Sequence, residues 1–143
     1  MLLLFAIMQC YGFAQQKYRQ TGTATYYHDY FQGRRTTSGE VYNKVLYTAA
    51  HPSLPFNTLV KITNLKNNLY VIVKINDRCP WHPNRIIDLS RAAAAKIDMI
   101  LAGRVYITLE EVTPADLNII SQESARLLTS AVEVRTRECK KIA

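Results

Sequence analysis

Between residues 21 and 109 the chain breaks into short β-type runs, and this rhythm constrains its fold more than any other feature. TGTATYY at 21–27 is rich in Thr and Tyr, and TLVKITN at 58–64 and LYVIVKI at 69–75 are two further runs, joined through Leu65-Lys66-Asn67-Asn68. Residues of these types fit a pleated surface, and Asn tolerates the left-handed backbone of a tight turn, so the latter pair reads as a hairpin. Leu69, Val71, Val73 and Ile75 share one face of its second strand and Ile72 lies on the other, which predicts an internal strand. A short run follows at 85–89. Val105, Ile107 and Leu109 then alternate with Arg104, Tyr106 and Thr108 in a last run, which Pro114 stops. Ser90 is a good N-cap for the Ala-rich stretch 91–99, the one firm helix. A mainly β domain, a small barrel with one short Ala-rich helix, accommodates these elements. The tail from Ala115 carries apolar residues at 117, 120, 127, 131 and 134, a weak amphipathic helical pattern.

The 143 residues suffice for one domain, and 48% hydrophobic with 20% charged residues excludes a disordered chain. The net charge of +7 favours an anionic partner, and nucleic acid, acidic glycan and anionic lipid all satisfy it. The N-terminus narrows that choice. LLLFAIM at 2–8 is far shorter than the ~20 residues that span a bilayer. With Gly12-Phe13-Ala14 as a small-x-small site it reads as an export leader over 1–14, although no Lys or Arg precedes it; a buried strand or helix is the alternative. Cys10 would anchor the chain to a membrane only if lipidated, and Gln9 is not the small residue a lipobox wants. Export disfavours nucleic acid. It also leaves Cys79 and Cys139 as the remaining cysteines, candidates for a disulfide closing about 60 residues and worth roughly 4 kcal/mol.

No phosphate loop, CxxC pair or HExxH motif is present, so no cofactor and no metal is expected; a zinc site from His28, His51 and a carboxylate is the remaining alternative. What is left is carboxylates in polar loops beside strands. Glu40 ends the loop TTSGE, Asp77 follows the hairpin in Asn76-Asp77-Arg78, and Asp88 ends Ile86-Ile87-Asp88. Two carboxylates on one rim are what glycosidic-bond cleavage uses, one as acid and one to stabilise charge or take a proton. Read singly, Glu40 is also an exposed loop residue, Asp77 a turn Asp paired with Arg78, and Asp88 a structural Asp bonding backbone amides where strand meets helix.

TGTATYYHDYFQGRRTTSGEVYN, LYTAAHPSLPFNTLVKITNL and VIVKINDRCPWHPNRIIDLSRAAA, in that order, resemble the rare lipoprotein A family of bacterial cell-wall enzymes. The resemblance covers roughly 21–112. It implies a six-stranded double-psi β-barrel over 21–113, after a lead-in at 15–20 and before a tail at 114–143. It also implies lytic transglycosylase activity on peptidoglycan glycan strands, preferably those lacking stem peptides, in the periplasm or at the outer membrane. The family's catalytic carboxylates fall on Glu40 and Asp77, and His51 and Asp88 match residues that line or support the groove. Two departures stand out. Cys79 replaces the usual Gly after NDR, and the roughly 30 residues after Thr113 are too few for the C-terminal peptidoglycan-binding module of many members. Stripped strands expose lactyl carboxylates, which Arg34, Arg35, Lys74, Arg78 and Arg85 are placed to pair with. Tyr26, Tyr27, Phe31 and Trp81 are candidates to stack on sugars. A non-catalytic, expansin-like wall-binding module is the competing expectation.

The carboxylate chosen as acid is expected to sit in an apolar or like-charged setting that keeps its proton near neutral pH. The sequence leaves open whether that is Glu40 or Asp77.

Overall fold

The computed structural model describes residues 17–142, with side chains through Ser130; the leader expected at 1–14, with Cys10, and the side chain of Cys139 lie outside the described residues. Six strands close into a barrel: β1 (Arg19–Tyr26), β2 (Thr48–Ala50), β3 (Leu59–Asn64), β4 (Tyr70–Asp77), β5 (Arg85–Leu89) and β6 (Val105–Glu111), in the order β1-β5-β2-β4-β3-β6. β1/β5 and β2/β4 pair in parallel, and the other neighbours are antiparallel. This crossed, closed arrangement is a double-psi β-barrel.

The period-2 pattern decides which side chains fill it. Val60 and Ile62 of β3, Val71, Val73 and Ile75 of β4, and Ile107 and Leu109 of β6 are buried in one core with Ile87 and Leu89. β3 and β4 form the expected hairpin, with Asn68 in the left-handed region at φ 60°. Leu69 falls outside β4 and is exposed. Gly22 lets β1 approach β5, because a Cβ there would meet Ile86 Cγ2 at 2.7 Å.

β2 has no counterpart in the five runs read from sequence. Its three residues are all buried, and Ala49 and Ala50 carry neither β-branching nor alternation to betray them. The helix α1 (Arg91–Lys96) is shorter than expected. Ser90 caps it, accepting from Ala93 N at 3.3 Å, but the chain leaves the helix at Ile97 and Asp98 turns left-handed at φ 54°. Residues two apart on an α-helix point about 200° apart. Unwinding lets Ile97 and Met99 both enter the core.

Pro114 opens the tail helix α2 (Pro114–Ile142) as well as ending what precedes it. Thr113 and Asp116 cap each other, with Thr113 N–H donating to Asp116 Oδ2 at 2.8 Å. Among the described residues no helix is long and apolar enough to cross a membrane.

Candidate active site

The long loop between β1 and β2 folds back on β4. Arg35 and Val41 pair as an isolated bridge, Thr36 N–H donates to Glu40 O at 2.8 Å, and Gly39 takes φ 91° to close the turn. The turn is stitched to the end of β4 from both sides. Thr37 donates its N–H (2.8 Å) and hydroxyl (2.7 Å) to Asp77 Oδ1, while Asn76 Nδ2 donates to Glu40 Oε2 at 2.9 Å. Glu40 and Asp77, 37 residues apart in sequence, are thus brought to one strand end.

Their settings differ. Asp77 Oδ1 also accepts from Arg78 N–H at 2.8 Å, and Oδ2 accepts from the Tyr27 hydroxyl at 2.7 Å. Burial alone would raise the Asp77 pKa, but the bonds from Thr37, Tyr27 and Arg78 outweigh it and hold the group below the ordinary carboxylate range. Tyr27 moves the other way: burial, then its bond to Asp77, pushes the phenol up, so it stays a donor. Glu40 stands on the rim, its side chain 42% exposed, in an ion pair with Lys74 at 2.7 Å. That bond, then the one from Asn76, lowers its pKa. Neither carboxylate sits in the apolar or like-charged setting expected of a resting acid. The reason is local: the strand end that gathers them supplies donors rather than apolar walls.

Asp77 faces an open groove of about 700 Å³, which Tyr27, Asp88, Arg34, Arg78 and Arg85 also line. Arg34 lies over the Tyr30 ring at 3.7 Å, and Arg78 over Phe56 at 3.9 Å while Nη1 donates to the carbonyls of His51 (3.4 Å) and Asp77 (3.3 Å). Asp88, expected to bond backbone amides at the helix junction, turns its carboxylate into the groove instead. It accepts from the Thr25 hydroxyl and pairs with Arg85 Nε at 3.5 Å. The helix cap is Ser90, as its place in the sequence predicts.

His51 supports the site through its backbone, donating N–H to Asp77 O at 3.2 Å. Its Nδ1 accepts from Ser53 N and Leu54 N (3.2 and 3.0 Å), and burial, then the charge of Arg78, lowers its pKa to about 4. It is a neutral, structural histidine. His28 Nδ1 likewise caps the short turn Asp29–Phe31, accepting from Tyr30 N. Among the described residues no three His, Cys, Asp or Glu side chains gather where a metal could bind.

Lys74 is engaged by Glu40, and Tyr26 is packed against the core with its hydroxyl on Ile100 O at 3.1 Å. Trp81 lies beside a neighbouring pocket and not in the Asp77 groove. Cys79 lines the groove as a buried thiol, 3.5 Å from Ala50 O, whereas the side chain of its expected partner Cys139 lies outside those described.

A family model described as a lytic transglycolase matches residues 19–109, nearly the whole barrel. The chain belongs to the RlpA-like double-psi β-barrel family. Similar to it is the endolytic peptidoglycan transglycosylase RlpA of Pasteurella multocida, 53% identical over 93 residues, 65% of this chain and 32% of that protein. The Haemophilus influenzae protein of the same name is 42% identical over 127 residues, 89% of this chain and 44% of that one. The RlpA-like chain thus spans less than half the length of these relatives. Among solved structures, the Streptomyces papain inhibitor aligns with a TM-score of 0.55 at 27% identity, covering 67% of this chain and 96% of that one. A Clavibacter michiganensis expansin aligns at 0.56 with 21% identity, over 68% and 52% of the two chains, and shares the fold.

Sequence reasoning did not assign Thr37, Asn76 and Thr25 to the site of this RlpA-like barrel. Thr37 and Asn76 lie beside Glu40 and Asp77 in the stretches that carry the family resemblance, and that proximity is a signal; Thr25 lies 63 residues from Asp88 and carries none. Tyr27 was noticed as a sugar stacker. Its hydroxyl on Asp77 is the contact that matters here.

Proposed function

We propose that this RlpA-like barrel is a lytic transglycosylase domain that cleaves peptidoglycan glycan strands, favouring strands without stem peptides, in the cell envelope. The observation that carries the reading is Asp77, a carboxylate held anionic by four hydrogen bonds and facing a groove edged by four arginines, Arg34, Arg35, Arg78 and Arg85. An anion at that point stabilises positive charge developing on the anomeric carbon. The terminal nitrogens of Arg34 donate no hydrogen bond within the described residues, which leaves them to a lactyl carboxylate of the strand.

In the reaction, a proton reaches the glycosidic oxygen as its bond to C1 breaks. The C6 hydroxyl oxygen of the same muramic acid bonds to C1, and its proton passes to a carboxylate. The product ends in 1,6-anhydro-muramic acid, and no water is consumed. Asp77 fills the charge-stabilising and proton-accepting role. Glu40 delivers the proton once substrate loosens its bond to Lys74: a lactyl carboxylate that attracts Lys74 both removes the partner and adds a like charge, and each raises the Glu40 pKa.

The ionised resting pair also favours a second reading, an expansin-like module that binds wall glycan without turnover. Incubation of the protein with stem-peptide-free glycan strands, followed by mass analysis, separates the cases. Anhydro ends support the transglycosylase, reducing ends indicate attack by water, and retained binding with no product supports the binding module.

A further inference from the structure

We infer that the catalytic groove has a second compartment, a distal subsite where Trp81 and a polar pocket beside Arg85 take one further N-acetylated amino sugar of the same strand. The inference rests on the glycan-cleaving reading and extends it to surface away from Asp77. A pocket of about 140 Å³ is lined by Tyr18, Gln20, His51, Trp81, His82 and Arg85, among others. Arg85 lines the main groove as well, so the two compartments share a wall.

The chemistry of this pocket is specific. Gln20 Oε1 already accepts from the Tyr18 hydroxyl at 2.8 Å and faces His51 Nε2 at 3.4 Å, so the Gln20 amide nitrogen is the end left to donate. The terminal nitrogens of Arg85 are donors of the same kind, and both find no partner among the described residues. A site offering N–H donors suits a carbonyl oxygen. It is far smaller than the main groove of about 700 Å³, a size that suits an acetamido substituent.

The ring has its own platform. Trp81 is 76% exposed at the mouth of this pocket. Its loop is pinned, because His82 Nδ1 accepts from Asn84 N and Arg85 N, both at 3.2 Å. A wide, exposed apolar face beside unpartnered donors matches a pyranose bearing an acetamido group. Gln20 precedes Thr25 of the main groove by five residues on β1, about 17 Å along a strand. A strand that fills both compartments is longer than the shortest one that meets Asp77.

Trp81 is the single tryptophan of the chain, so its fluorescence reports this subsite alone. The Glu40→Gln variant is titrated with defined GlcNAc–MurNAc oligosaccharides of increasing length, N-acetylated and de-N-acetylated. The expected result is an emission shift that begins only with longer oligomers and weakens about tenfold without the acetyl groups. In the catalytically intact protein, Trp81→Ala is expected to lower the ratio of kcat/KM on long strands to that on the shortest cleaved substrate by about tenfold, and Trp81→Phe to restore most of it. An unchanged ratio in an active Trp81→Ala protein, or emission indifferent to long oligomers that bind, overturns the subsite and leaves the transglycosylase reading standing. Absence of cleavage by the wild-type protein overturns that reading instead, while the fluorescence titration still decides the subsite.

Discussion

Replacing Tyr27 by Phe keeps the ring, with its contacts to Phe31 and Tyr42, and deletes only the hydroxyl that donates to Asp77. A hydrogen bond to a charged group contributes about 1.5–3 kcal/mol. Asp77 opens on the groove and keeps three other donors, so water takes up part of the loss and the expected cost at neutral pH falls to about 1 kcal/mol. The same loss raises the Asp77 pKa, because it falls on the charged form alone. The pH dependence has a definite sign. The folded-state Asp77 pKa is depressed, so its contribution to stability is present above the unfolded carboxylate value and is lost as pH falls through the folded one. Tyr27→Phe removes one cause of the depression. Its destabilisation should therefore be full at pH 7 and shrink as pH drops below both folded-state values. Urea unfolding of both proteins across this range, with a carbon-13 titration of the Asp77 carboxyl, measures the two quantities. A destabilisation independent of pH, or an Asp77 pKa that does not rise, would show that the hydroxyl does not hold the carboxylate anionic.

Glu40→Gln and Asp77→Asn are each expected to lower the cleavage rate by at least ~10²-fold with the fold retained, read by product release and circular dichroism. Lys74→Met removes the first cause of the lowered Glu40 pKa, so the alkaline limb of the pH–rate profile should move up; an unmoved limb argues against Glu40 as acid. Gly22→Ala drives a Cβ to 2.7 Å from Ile86 Cγ2 and should cost about 1–3 kcal/mol in urea unfolding, and Ile86→Ala, which removes that carbon, should cost less in the Gly22→Ala background than alone. Burial raises the Cys79 thiol pKa to about 11, so it should alkylate far more slowly than a free thiol at pH 8 when folded; rapid reaction would contradict its burial.

Local pattern made most of the barrel legible. β3, β4 and β6 show in sequence because apolar residues alternate over whole strands and Asn68 marks a turn, information that needs no distant partner. β2 could not be seen that way. Its strand character comes from β4 and β5 on either side, and three small residues cannot carry a period of their own. The same divide runs through the site. Glu40 and Asp77 stand out by type and position, whereas donors that set the charge of Asp77 come from Thr37, 40 residues before it, and Tyr27, 50 before it. Asp88 shows the cost of reading locally: the strand-to-helix junction suggests bonds to backbone amides there, and the parallel pairing of β1 with β5 gives it Thr25 instead.

That pairing also explains why the groove is basic around two acids. Parallel β1 and β5 end together, so Tyr27 follows one strand and Asp88 lies near the end of the other, while β4 delivers Asp77 and Arg78 beside β2. Each carboxylate is then answered by hydrogen bonds or one guanidinium, which leaves the surplus cations facing open space. A groove of this kind gains nothing from a neutral glucan beyond hydrogen bonds, but it gains charge-assisted bonds from a polymer with a carboxylate on alternate sugars. Cleavage of peptidoglycan strands should accordingly weaken with added salt, while Trp81-dependent contacts with uncharged oligosaccharides should not. Equal salt sensitivity for both would mean that the arginines of the groove serve the fold and not the substrate.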